Sequence, residues 1–218
     1  MSRRRVAALI SGRGSNMAAL IAAAKEPAYP AEIALVLSDK PDAGGLGFAA
    51  AEGIPTAIAD RKTLGSKPAF EAAIQRHLAA ARIDLVCLAG FMRLLSAEFV
   101  ASWHDRLINI HPSLLPAFPG IDTHARALAA GVRLHGCTVH FVRAATDDGP
   151  IIIQAAIPVL PHDTPDSLAE RLLPVEHQVY PRALEWVASG RARVVDERVV
   201  VDGIEGSTGV LISPTAAS

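Results

Sequence analysis

Cysteine is scarce: the 218 residues hold two, Cys87 and Cys137. Each sits in an apolar, strand-like run, and no metal-ligand spacing joins them. That pattern excludes a disulfide framework and fits two buried thiols in a reducing compartment. An excess of either charge is also missing, since 21 Lys and Arg against 22 Asp and Glu leave a net charge of -1. No broad basic face for nucleic acid or for an anionic membrane follows from that balance. The run Arg3-Arg4-Arg5 reads as a solvated edge before the first strand. Long hydrophobic runs are absent too, so no segment is expected to span a bilayer as a helix. The apolar run at residues 6–10 is too short for a secretory signal and has no cleavage site after it. A cytoplasmic location is the default expectation.

Several catalytic signatures are lacking as well. There is no Gly-Lys-Ser/Thr, which excludes a Walker loop, and no Gly-x-Ser-x-Gly nucleophile elbow. The histidines His111, His124, His135, His140, His162 and His177 are scattered, without a His-Glu-x-x-His pattern or a cysteine cluster, so no metal site is expected. They read mostly as surface and capping residues. No repeat, low-complexity tract or clear linker interrupts the chain.

What is present alternates between strand and helix. Strands are expected at residues 6–10, 32–39, 55–59, 85–89, 107–110, 135–142 and 150–159, with helices at 17–25, 43–52, 67–81, 123–130 and 166–188. Pro174 and Pro181 predict kinks or a break in the last of these. The alternation and the near-continuous apolar strands give an α/β fold, a Rossmann-like, mostly parallel twisted sheet with helices on both faces. The tight Asp-Gly loop before residue 150 adds antiparallel pairing in the C-terminal half. One domain over residues 1–203 is expected, with a phosphate-binding half to about 104, a second half at 105–190, a small hairpin at 191–203, and a loosely held tail at 204–218.

Two stretches carry chemistry. The first strand runs into Ser11-Gly12-Arg13-Gly14-Ser15-Asn16 and then a helix, a geometry that offers backbone N–H groups to an anion. Met17 stands where a dinucleotide fingerprint needs its third glycine, which leaves a site for one terminal phosphate. Ser15 or Asn16 can cap the helix or donate to the same anion. The second stretch is Leu107 to Gly120. Strand alternation points Leu107, Asn109 and His111 to one side and Ile108 and Ile110 to the other. Pro112 ends the strand, and a proline-stiffened loop follows. An amide and an imidazole at a strand's C-terminal end, with an acid from Asp147 or Asp148, can serve acyl transfer to an amine. Asn109 would donate to the oxyanion, His111 would hold and pass a proton, and the carboxylate would orient the imidazole. The apolar loop Gly90 to Leu95 reads either as a core plug or as a wall for a flat ligand.

These residues resemble the folate-dependent formyltransferases that act on glycinamide ribonucleotide. The likeness rests on Ser11 to Asn16, Leu88-Ala89-Gly90-Phe91-Met92-Arg93, Asn109-Ile110-His111-Pro112-Ser113-Leu114-Leu115-Pro116 and Asp147-Asp148-Gly149-Pro150. It covers the chain to about Arg193. The resemblance implies the formyltransferase fold. It implies transfer of formyl from 10-formyltetrahydrofolate, as co-substrate, to the glycinamide amine in de novo purine biosynthesis, by direct attack through a tetrahedral intermediate. It places phosphate binding on Gly14, Ser15 and Asn16, ribose contact on Glu176, and catalysis on Asn109, His111 and Asp147. Folate contacts fall on Lys67, Met92, Arg93, Leu94, Leu95, Asn109, Arg143, Ala144, Ala145, Thr146 and Asp147. Lys67 replaces a usual arginine, keeping the charge without the fork, and Asp148 stands where glycine is common. Partners are the two small molecules, with no nucleic acid or membrane, and a homodimer is left open. Two alternatives stand beside this: hydrolysis of the same formyl folate, and a folate- or nucleotide-binding module without chemistry.

Overall fold

A computed structural model of the chain describes residues 3–204 and 209–214. The expected tail lies partly outside the described residues, at 205–208 and 215–218. Apolar, β-branched runs form the strands in the expected places. In chain order the elements are β1 (Arg4–Ile10), α1 (Ser15–Ala24), β2 (Ala31–Ser38), α2 (Gly44–Ala51), β3 (Thr56–Ile58), α3 (Arg61–Leu64), α4 (Lys67–Ala80), β4 (Leu85–Leu88) and α5 (Ala97–Ser102). They continue with β5 (Leu107–His111), α6 (Thr123–Ala129), β6 (Leu134–Phe141), β7 (Ile151–Pro158), α7 (Pro165–Ala188), β8 (Ala192–Val195) and β9 (Arg198–Val201).

Seven strands make one sheet in the order β3-β2-β1-β4-β5-β6-β7, and β8 and β9 form a separate hairpin. The pairings β1–β2, β1–β4, β2–β3 and β4–β5 are parallel. The pairings β5–β6 and β6–β7 are antiparallel. The order reverses between β1 and β4, so the crevice of an open α/β sheet lies at the C-terminal ends of those strands.

Alternation along each strand divides the core in two. Val6, Ala8, Ile10, Ile108 and Ile110 face a cluster shared with Met17 and Leu20 of α1 and Leu172, Tyr180 and Leu184 of α7. Ala7, Leu9 and Leu107 face the other, built with Phe70, Ile74 and Leu78 of α4 and Phe99 and Val100 of α5. This is the alternation expected for residues 107–111, and it leaves Asn109 and His111 on the side of Leu107.

Three expectations are corrected. The helix at the C-terminal end does not break: α7 is continuous, with Pro174 and Pro181 inside it. Each internal proline costs roughly 3 kcal/mol. Leu168, Leu172, Tyr180 and Leu184 are buried on one face, and each such side chain returns roughly 1.5–3 kcal/mol. Thr164 and Ser167 close a capping box at its start, and the Tyr180 hydroxyl donates to the carbonyl of Leu88 at 3.0 Å. The basic run is not merely solvated. Arg4 and Arg5 belong to β1, Arg5 pairs with Glu32 at 2.6 Å, and Arg3 donates to the carbonyls of Ala24 and Ala31. Finally, the histidines are not mainly superficial, since His111, His135 and His140 are all buried. Cys87 and Cys137 are buried free thiols, each pushed up to about 12 by desolvation. Among the described residues, no helix is long and apolar enough to cross a membrane.

Candidate active site

The loops leaving β1 and β4 meet at the reversal in strand order. Ser11 N–H donates to the carbonyl of Gly90 at 3.1 Å, and Met92 N–H donates to Ser11 Oγ at 2.8 Å. Between them lies a hollow of about 230 Å³ lined by Ser11 to Asn16, Ala89, Gly90 and Met92. Gly14, not Ser15 or Asn16, is the N-cap of α1; its φ is 74°, and the cap makes no side-chain hydrogen bond. A Cβ there would lie 3.1 Å from Met17 Cε and 3.2 Å from Gly45 Cα. The first turn of α1 therefore presents N–H groups that have no partner within the helix. No acidic side chain occupies that turn, so the positive end of the helix faces the hollow uncompensated.

Asn16 turns inward and donates from Nδ2 to Glu176 Oε2 at 2.7 Å. Burial raises the Glu176 carboxyl above its usual range, and the Asn16 hydrogen bond works against that. Asn16 Oδ1 is buried with no partner among the described residues. The residues expected for phosphate and ribose are thus one connected group on α1 and α7.

β5 delivers the second set. Asn109 pairs across the antiparallel ladder with His140, and His111 pairs with Thr138. Directly opposed residues share a face, and Asn109 Nδ2 lies 3.3 Å from His140 Nε2. His140 Nδ1 is 3.0 Å from the carbonyl of Phe141. Burial lowers the affinity of His140 for a proton. A neutral ring that donates from Nδ1 leaves Nε2 to accept from the Asn109 amide.

His111 meets oxygen at both ring nitrogens. Nε2 is 3.0 Å from the Phe118 carbonyl, and Nδ1 is 3.4 Å from Asp147 Oδ2. The same carboxylate oxygen accepts the Gly120 N–H at 2.7 Å, which ties the loop after β6 to the proline-rich loop after β5. Asp148 is exposed and lines neither cavity described below, so Asp147 is the acid that faces the imidazole.

A cavity of about 730 Å³ opens over this group, lined by Gly90 to Leu94, Asn109 to Pro112, Gly120 to His124, Thr146 and Asp147. A second hollow of about 260 Å³ adjoins it, sharing Phe91, Arg93, Leu94, Asn109, Thr146 and Asp147 and adding among others Lys67, Leu95, His140 and Arg143 to Ala145. All the residues expected to contact folate line this second hollow except Met92, which faces the first two. Lys67 opens α4, behind the Ser66 cap. A cation is unfavourable at a helix N-terminus, so Lys67 suits a site that receives an anion from outside. Arg93 is held by the buried Asp39 at 2.5 Å.

A formyl transferase family model matches residues 4–184. The chain belongs to the formyl transferase family. The trifunctional purine biosynthetic protein adenosine-3 of Drosophila melanogaster is 50% identical over 197 residues, 89% of this chain. The chain spans about 15% of that protein's length. The phosphoribosylglycinamide formyltransferase of Escherichia coli K12 is 40% identical over 91% of this chain and 93% of the relative. A phosphoribosylglycinamide formyltransferase structure from Brucella melitensis superposes with a TM-score of 0.83 at 54% identity, covering 89% of this chain and 99% of that one.

The candidate site also holds residues that the sequence did not point to. His140 is one: its link to Asn109 depends on the β5–β6 pairing, which joins residues far apart in the chain. Arg13 in the hollow at the glycine loop and His124 in the central cavity are others. Arg13 could have been found from its place inside the glycine loop. Nothing local to His124 marks it. Among the described residues, no group of three or more His, Cys, Asp or Glu could hold a metal ion.

Proposed function

We propose that the chain transfers the formyl group of 10-formyltetrahydrofolate to the amine of glycinamide ribonucleotide, a step of purine biosynthesis. One observation carries this reading. Asn109, His111 and Asp147 converge on one cavity, with Asp147 Oδ2 3.4 Å from His111 Nδ1, and that cavity shares Gly90 and Met92 with the anion-binding hollow.

In this scheme the N–H groups at Gly14, Ser15 and Asn16 hold the phosphate, and Glu176 receives a ribose hydroxyl. The apolar wall at Met92 to Leu95 and the loop from Arg143 to Asp147 take the pterin, with Lys67 meeting the anionic tail. The substrate amine attacks the formyl carbon and forms a carbon–nitrogen bond. The carbonyl electron pair moves to oxygen, where the Asn109 amide donates to it, and His111 carries the proton at Nδ1, the nitrogen that its long 3.4 Å contact with Asp147 leaves open. The amine nitrogen loses a proton, the folate nitrogen gains one, and its bond to carbon breaks as the carbonyl re-forms. Asp147 keeps His111 oriented and balances its charge. Direct attack needs no nucleophile from the protein.

The reading treats residues 1–203 as one working unit, with the phosphate hollow in the half to about 104 and the reacting groups in 105–190. Its partners are two small molecules, with no role for nucleic acid or a membrane; a homodimer stays open, and its setting is the cytoplasm. The test is an assay that follows formyl folate loss, formate and formylated ribonucleotide together. One formylated product per folate consumed, and none without the ribonucleotide, is expected. Formate release in the absence of ribonucleotide would make it a hydrolase, and tight folate binding without turnover would make it a binding module.

A further inference from the structure

The terminal hairpin has no part in the scheme above, yet it is joined to the loop that carries Asp147. β8 and β9 are linked by the two residues Asp196 and Glu197, whose φ values are 49° and 53°. Hairpin turns of this shape favour Asn and Gly. Glu197 sits there against that preference, and its carboxylate grips Arg143. Arg143 Nε donates to Oε2 at 2.8 Å, and Nη2 donates to Oε1 at 3.3 Å. Nη2 also donates to Asp105 Oδ1 at 2.8 Å, and Nη1 donates to the Val142 carbonyl at 3.3 Å. Asp105, with φ 55°, lies in the turn that leads into β5. All three nitrogens of this guanidinium are occupied.

The stem of Arg143 is committed too. A Cβ on Gly149 would fall 2.9 Å from Arg143 Cγ and 2.2 Å from the Phe141 carbonyl oxygen. The stem therefore lies against the neck of the loop, where Arg143 N–H donates to the Asp148 carbonyl at 3.3 Å. Its side chain is 15% exposed, against 40% for Asp105 and 63% for Glu197. The cation is shielded while its partners are open to water.

We propose that the side chain of Arg143 positions this loop and does not itself bind folate, so the pterin contact placed on Arg143 above falls to its backbone. With Glu197 and Asp105 it forms a charged strut that ties the hairpin and the start of β5 to the loop bearing Asp147. The strut fixes the gap between Asp147 and His111, because His111 rides on β5, the strand that the Asp105 turn leads into. The kinetic consequence rests on the formyl-transfer reading; the mechanical one does not.

The test uses the full chain with Glu197→Ala, Arg143→Met, which keeps the stem, and the double variant. Amide hydrogen exchange at residues 143–149 should accelerate about fivefold in each, the upper range for a partly exposed ion pair. The KM for formyl folate should rise and kcat fall by a similar factor, with the KM for the ribonucleotide unmoved. Glu197→Ala should add nothing to Arg143→Met. In the native protein, salt should raise the folate KM towards that of the variants. Unchanged exchange in Glu197→Ala overturns the strut whether or not the protein turns over. So does a folate KM that rises in Arg143→Met alone, which would put the guanidinium on the ligand. A native chain that transfers no formyl sinks the proposed function and leaves the exchange result to decide the strut.

Discussion

His140 and Glu176 show how buried polar side chains set up their neighbours. His140 is fixed by the Phe141 carbonyl at one nitrogen and offers the other to Asn109. That orients an amide which otherwise has two indistinguishable ways round. Glu176 is buried beside Asn16, and desolvation raises its carboxyl. An acid whose folded pKa is raised weakens the fold when it ionises, so removing its charge relieves the native state at neutral pH. Glu176→Gln should therefore unfold at an equal or higher temperature while the KM for the ribonucleotide rises, as thermal melts and steady-state kinetics would show. At this scale much was legible. Period-two alternation alone puts Asn109 and His111 on one face, and a fixed spacing offered two acids, of which Asp147 turns inward. His140 was not legible as a partner, because antiparallel pairing between β5 and β6 is a long-range choice that leaves no mark near His140.

Among the elements, β1, the glycine loop and α1 come in the expected order, although α1 starts at Ser15 and its cap is Gly14, not Ser15 or Asn16. Gly14 holds φ 74° with Met17 and Gly45 pressed against the place of a side chain. Gly14→Ala should cost on the order of 1–2 kcal/mol in denaturant unfolding, from the left-handed backbone and the crowding. It should also weaken ribonucleotide binding more than folate binding. α7 is the opposite case. Its prolines predict kinks or a break on local grounds, and the buried face against the sheet and the capping box at Thr164 keep it from breaking despite two lost backbone bonds. Short helices such as α3 and α5 were missed because too few residues carry a periodic signal. In α5 the cap is plain once seen, with Ser96 Oγ accepting from Phe99 N–H at 3.1 Å.

Across the whole molecule, the fold class followed from alternating apolar runs, and the active-site crevice from the strand order. The sequence did not reveal how many histidines the fold buries. His124, His135, His140 and His177 are all pushed down by burial, His135 to about 4. His124 Nδ1 and His135 Nε2 are 3.1 Å apart, a contact that two charged rings could not keep. The unfolded chain takes up protons at these residues below about pH 6.5, and the native chain resists them until lower pH. Stability should thus fall as pH drops from about 7 towards 4, by up to about 3 kcal/mol through His135 alone. Urea midpoints at about pH 7.5 and about pH 5 would show it, with a smaller difference in His135→Gln. The account as a whole stands on the carboxylate that faces His111, and kcat of Asp147→Asn beside Asp148→Asn probes it most directly. Asp147→Asn should lose at least about a hundredfold, and Asp148→Asn should stay within about twofold, as expected for an exposed side chain outside the cavity. Asp147→Asn turning over at the native rate would contradict the account.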